Sequence, residues 1–306
     1  MSSSPAMTDG KEKEKSVDSK VQEFFRDHSV WDLIDPSKPW VLVEGGSFLG
    51  FFDFVPEHYR CGPWSLVPLS VLPFILSLVV KGAVWLSMQK GLWEQFVLPD
   101  DSYEAFTLEW YYTLAASCWM VFIMWHIYAR SPASIGAWVT FTVWSWTIIT
   151  IRHFLVLLAP FFRSVRLASE LLRFPALLSA TITSGIWNFV LFPAIVLYFV
   201  KDLDQRKKFI GFFTNFRLTQ LHVFNIFFAV ANCAYVSPVR PLHIGDTGPA
   251  GMLLCVYMTW YYCVLDRLGI HLYPIFSPRT PLVLFSWMLI IGACAGGYKF
   301  WKGVLA

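Results

Sequence analysis

Charge is scarce in this chain of 306 residues. Asp, Glu, Lys and Arg make up 15% of it, where soluble domains carry about 25%. That shortage excludes an ordinary soluble protein. The net charge of +3 is small, and no basic patch is interleaved with surface aromatics, so nucleic acid is not an expected partner. The six cysteines form no CxxC pair and sit mostly inside apolar segments, which excludes a disulfide framework and a zinc site of the usual spacing. The seven histidines show no HExxH and no i, i+4 pair, so no metal is expected. GxSxG, phosphate-binding glycine loops and dinucleotide fingerprints are missing as well, and no cofactor is expected. The opening MSSSPAMTDGKEKEKSVDSK has no apolar stretch or cleavage site of the kind a signal peptide needs. No internal repeat of the transporter type is visible.

What is abundant is apolar and aromatic. Hydrophobic residues reach 56%, aromatics 18%, and the mean hydropathy is +0.52. Runs long enough to span a bilayer recur from Trp64 onward. The expected fold is all-α, a polytopic membrane helix bundle with about seven transmembrane helices, near 64–88, 108–129, 135–160, 174–200, 214–236, 249–268 and 281–301. Residues 1–20 read as a disordered tail, 21–63 as a membrane-proximal or interfacial region rich in aromatics and charge, and 64–306 as the bundle. Loop lysines and arginines lie mostly on the side of the tail, with Lys90, Arg163, Arg166, Arg173 and Arg240 assigned to the opposite loops. The bias favours a cytosolic N-terminus. Endoplasmic reticulum and plasma membrane are both compatible.

Polar side chains inside such helices need a partner, a cavity or a role. FRLTQLHVFNIFFAVANCAY, residues 216–235, carries His222, Asn225 and Asn232. His222 is the most informative, because neutral imidazole both gives and takes protons near neutral pH. The third and fifth spans are both odd-numbered and therefore run parallel. Thr140 and His222 should then lie roughly 7–12 Å below one membrane surface, at 1.5 Å per residue. Threonines in a spanning helix usually bond their own backbone. The alternative is a nucleophile activated by a histidine within hydrogen-bond reach. Arg152 and His153, farther along the third helix, belong to the opposite face and are left out of this site.

Three stretches carry a resemblance to a known family. WVTFTVWSW, LTQLHVFNIFFAVANCAY and MTWYYCVLDRLGIHLYPIFSP resemble, respectively, the early threonine helix, the histidine helix and the Gly-x-x-Val-Tyr-Pro-Phe ending of the androgen-induced gene family of multi-pass membrane proteins. The likeness covers residues 135–302 and implies a six-helix core preceded here by one further helix. It also implies a threonine hydrolase of fatty acid esters of hydroxy fatty acids, with Thr140 as nucleophile and His222 as base. A shift of two positions would move the nucleophile to Thr142. Asn225 and Tyr273 are candidate oxyanion donors, and Arg267 is a candidate for a fatty-acid carboxylate. The expected partner is a lipid substrate within the bilayer. The contrasting expectation is a non-catalytic multi-pass protein, either a lipid-binding scaffold or a small-solute transporter.

Overall fold

The computed structural model describes Gly82 and residues 103–130, 134–194, 196–197, 202–236, 238, 240–261 and 282–305. Among these residues the regular structure is entirely helical, with no strand. The principal helices are α1 (Leu108–Arg130), α2 (Phe141–Leu158), α3 (Arg163–Leu171), α4 (Arg173–Ile186), α5 (Leu203–Phe213), α6 (Phe216–Thr219), α7 (Asn225–Val230), α8 (Thr247–Trp260) and α9 (Leu282–Val304). Three stretches are long and apolar enough to cross a membrane: Leu108–Ala129, Phe141–Leu158 and Arg163–Leu191. The span expected near 64–88 lies outside the described residues, apart from Gly82.

Local chemistry sets the helix boundaries. Thr140 is the N-cap of α2, with extended backbone (φ −88°, ψ 138°) and a side chain that accepts from Val143 N, as N-caps do. Leu172 closes α3 and opens α4. Pro175 stands at the third position of α4, where a missing N–H costs no intrahelical bond. The fourth apolar segment therefore begins at Arg163, about eleven residues earlier than its hydropathy suggests. Arg166 and Arg173, expected in a loop, are instead buried within helices, and Arg240 is buried although it lies in a loop. Downstream of α4, π-helical turns occupy Trp187–Leu191, Gln220–Phe224 and Ala231–Val236. Pro193 cannot donate to the helical ladder, and the first of these widened turns immediately precedes it.

The centre of the bundle is α4, which packs against α2, α7, α8 and α9. Its residues from Arg173 to Ala180 are all buried. Around it the apolar core joins Met120 and Ile123 of α1, Trp146 and Ile149 of α2, Leu221 and Ala229 of the 216–236 run, and Leu254 of α8. On the outside stand large apolar side chains, among them Trp125, Phe189, Leu197, Phe227 and Phe300. Such a surface suits lipid and is poorly suited to water.

One helix pair brings polar groups together at both of its ends. Contacts between α2 and 216–236 join Thr142 to His222 at one end and Arg152 to Asn232 at the other. Both pairs are 80 residues apart, so the two helices run parallel and in register. Thr142 faces His222 and Arg152 faces Asn232, and the same offset puts 145 at the level of 225 and 149 at the level of 229. The 3-4-3 spacing is that of a helix seam, and Ser145, Ile149, Arg152, His222, Asn225, Ala229 and Asn232 are all buried.

Trp146 sits beside this seam with no exposed surface. Its indole donates to Met120 O at 3.2 Å and meets Phe228 edge-on with ring centroids 5.7 Å apart. Trp146→Ala should destabilise the fold by about 3–5 kcal/mol, measured as a lowered unfolding midpoint in detergent micelles.

Candidate active site

Two threonines compete at the start of α2, and the backbone separates their roles. Thr140, as N-cap, donates its hydroxyl to Ala137 O at 3.0 Å and accepts from Val143 N at 3.3 Å. Its one hydroxyl proton is thus spent on closing the helix end, along with one of its two acceptor positions. Thr142 is two residues inside the helix, and its Oγ1 lies 3.3 Å from His222 Nε2. The structure therefore pairs His222 with Thr142, and Thr140, the residue expected as nucleophile, caps the helix instead.

His222 occupies the π-helical turn Gln220–Phe224 and is 5% exposed. Its Nδ1 lies 3.0 Å from Leu218 O. A carbonyl only accepts, so Nδ1 carries the proton and Nε2 is left as an acceptor. The Thr142 hydroxyl then donates to Nε2. This is the tautomer and direction that a threonine nucleophile with a histidine base requires.

The third wall comes from the end of α4. Trp187 stacks on the His222 ring at 4.3 Å between centroids and 20° between planes. Asn188 donates from one amide nitrogen to Ser184 O at 2.8 Å and to His222 O at 2.9 Å, tying the π-turn to α4. Ser184 donates to Asn225 Oδ1. Gln220 accepts from Trp119 Nε1 at 3.2 Å, which links the turn to α1. Tyr257 of α8 donates to Val139 O at 2.9 Å and packs edge-on to Phe141 and Trp144, fixing the entry to α2. Of the expected oxyanion donors, Asn225 lies one helical turn from His222 and is fully buried. Tyr273 and Arg267 lie outside the described residues.

At the other end of the seam lies a second buried polar centre that hydropathy did not single out. Glu170 accepts from Arg173 Nε at 2.9 Å and Nη2 at 2.7 Å, from Arg240 Nε at 2.7 Å and from the Tyr103 hydroxyl at 2.8 Å. Arg152 Nη2 is 3.9 Å from the same carboxylate. Arg240 also grips Asp246 with two nitrogens, at 3.0 and 2.7 Å, and Arg173 donates to Cys233 O and Pro238 O. Glu170, Arg152 and Arg173 have no exposed surface. Charges this deep survive only when paired and hydrogen-bonded. The cluster joins α2, the α3–α4 junction, the end of 216–236 and the loop before α8. Its sequence signal was the concentration of charge at 163–173 beside Arg152, without any indication of which groups meet.

Comparison with protein-family models, curated proteins and solved structures yields no match.

Removing the shared carboxylate tests the cluster. Glu170→Gln leaves three arginines without their common counter-charge and should cost about 3–5 kcal/mol of stability, read as a lowered unfolding midpoint. Tyr103, outside the spanning segments, has its phenol pushed up to about 12 by burial and by the Glu170 charge. A folded-state value above the unfolded one of about 10 gives stability that is complete below pH 10 and lost as pH rises towards 12. Tyr103→Phe should remove that part of the loss, measured as the difference between wild-type and mutant unfolding midpoints across the window.

Proposed function

We propose that the protein is an intramembrane acyl-ester hydrolase in which Thr142 is the nucleophile and His222 the general base. The supporting observation is the Thr142 Oγ1–His222 Nε2 contact of 3.3 Å, with the ring tautomer set by Leu218 O. A histidine in this state accepts the hydroxyl proton as Oγ1 attacks an ester carbonyl. His222 then protonates the departing alcohol oxygen, leaving an acyl-threonine. A water molecule gives a proton to His222 and attacks the acyl carbon, and the returned proton restores the Thr142 hydroxyl. The balance is ester plus water to acid plus alcohol.

The apolar surroundings favour a lipid substrate. Aromatic side chains crowd the site: Trp187 lies on His222 and against Phe213, and Phe209 and Phe192 continue the group. Long acyl chains find their natural solvent in such a setting and in the surrounding bilayer. The resemblance to the androgen-induced gene family points to fatty acid esters of hydroxy fatty acids. We place the dyad within a bundle of about seven membrane-spanning helices, consistent with the three long apolar helices.

The proposal separates the two threonines. With purified protein and a fatty acid ester of a hydroxy fatty acid, Thr142→Ala and His222→Ala should each lower kcat by at least about a thousandfold, the order seen when members of a hydroxyl–histidine unit are removed. Thr140→Ala should retain turnover and lower stability by about 1 kcal/mol, the usual worth of an N-cap. Loss of turnover in Thr140→Ala with Thr142→Ala fully active would transfer the chemistry to the other threonine. Equal turnover in all the variants would remove the mechanism.

A further inference from the structure

The 80-residue offset shared by Thr142–His222 and Arg152–Asn232 puts Ser145 and Asn225 at matching levels, one turn along from Thr142 and His222. Both residues are completely buried. Neither Ser145 Oγ nor Asn225 Nδ2 has a hydrogen-bond partner among the described residues. The other end of the Asn225 amide is occupied, because its Oδ1 accepts from Ser184. With Ser184 donating to the amide oxygen, Nδ2 is the uncommitted end. Buried polar groups are usually satisfied, and of the buried polar atoms without a partner among the described residues these two lie at one level, a turn along from the Thr142–His222 pair.

We propose that Ser145 Oγ–H and Asn225 Nδ2–H form the oxyanion-binding pair for the acyl carbonyl of the ester attacked by Thr142, with Ser184 as the positioning residue that orients the amide. This rests on the ester-hydrolase proposal above. The spacing fits. Three residues along a helix advance about 4.5 Å. An attacked carbonyl carbon sits roughly 3–3.5 Å from the nucleophile, and attack comes at an obtuse angle to the C=O bond, which leaves the carbonyl oxygen roughly 3.5–4 Å from Oγ1 and to one side of the attack line. A carbonyl turned along the helix axis brings that oxygen towards the turn that carries Ser145 and Asn225. As Oγ1 attacks, the carbonyl π electrons move onto that oxygen, and two fixed donors in a water-poor site stabilise the charge as it develops. When the tetrahedral intermediate collapses, the carbonyl re-forms and the alcohol leaves. Both donors stay in place throughout. Ser145 is a residue that no local motif distinguishes, and only the helix register puts it level with Asn225.

The test uses the full chain, purified in detergent, with a fatty acid ester of a hydroxy fatty acid. Kinetics and unfolding midpoints are measured together for wild type, Thr142→Ala, Ser145→Ala, Ser145→Thr, Asn225→Ala and Ser184→Ala. Removal of one oxyanion donor should lower kcat by about a hundredfold to a thousandfold, with KM little changed, for Ser145→Ala and Asn225→Ala alike. Ser145→Thr keeps the hydroxyl and should restore most of the rate. Ser184→Ala should give a smaller loss. Ser145→Ala deletes a buried group that has no partner among the described residues, so its unfolding midpoint should equal or exceed that of wild type. Should Thr142→Ala be inactive while Ser145→Ala turns over like wild type, the oxyanion assignment fails and the hydrolase proposal stands. A midpoint that falls together with the rate in Ser145→Ala makes the hydroxyl structural and likewise overturns the assignment. Absence of turnover in wild type overturns both proposals.

Discussion

Polar side chains within apolar helices must find partners, and in this protein one helix pair arranges where they find them. The in-register, parallel packing of α2 against 216–236 brings Thr142 to His222 and Arg152 to Asn232, with Ser145 and Asn225, and Ile149 and Ala229, at matching levels between them. Three layers of this seam are polar and one is apolar. A shift of one residue would move every one of these groups off the seam. The register itself is held at both ends. At one end Asn188 and Trp187 of the α4 extension grip the π-turn around His222, and at the other Glu170 gathers arginines from three segments.

The two polar centres obey different physics. In the Glu170 cluster the opposing charges are desolvated together, and multiple short hydrogen bonds offset the loss of water. Its geometry ties backbone segments to one another, through Ser169 O, Asn232 O, Cys233 O and Pro238 O. The partners of Thr142 and His222 among the described residues are neutral groups: each other, the Leu218 carbonyl and the Trp187 ring. The first centre joins charged side chains to backbone carbonyls of several segments, whereas the second is a neutral hydroxyl–imidazole contact. The π-turn belongs to the second centre. Widening the helix at Gln220–Phe224 sets His222 to face Thr142 while its Nδ1 stays bonded to Leu218 O, and such turns are frequent at functional sites.

Much of the helical architecture was legible from composition. Apolar runs located α1 and α9 to within a few residues, the run for α2 began six residues early on the 3-10 turn Ser134–Val139, and the expected end of the sixth span near 268 lies outside the described residues. The choice between Thr140 and Thr142 was not legible. It depends on where the first turn of α2 starts, and helix ends are uncertain by one or two residues in any pattern-based account. Two residues here decide between a cap and a partner of His222. The charges at 163–173 looked like a loop because charge in a span is rare. Glu170 and Arg173 are tolerated because Glu170 meets arginines 18, 3 and 70 residues away in sequence, and Arg166 because it donates to Ala159 O and Pro160 O; periodicity along a single helix carries no trace of such pairing. Arg267 and Tyr273 fall outside the described residues, so the donors considered at the site come from Ser145 and Asn225 instead.

The central claim is that Thr142 is a nucleophile activated by His222. Its most direct test is covalent capture: purified protein treated with a long-chain fluorophosphonate, digested and mapped by mass spectrometry. The account predicts a single phosphonyl adduct on the peptide containing Thr142, at that residue, absent in His222→Ala. An adduct on Thr140, or labelling that persists unchanged in both Thr142→Ala and His222→Ala, would contradict it.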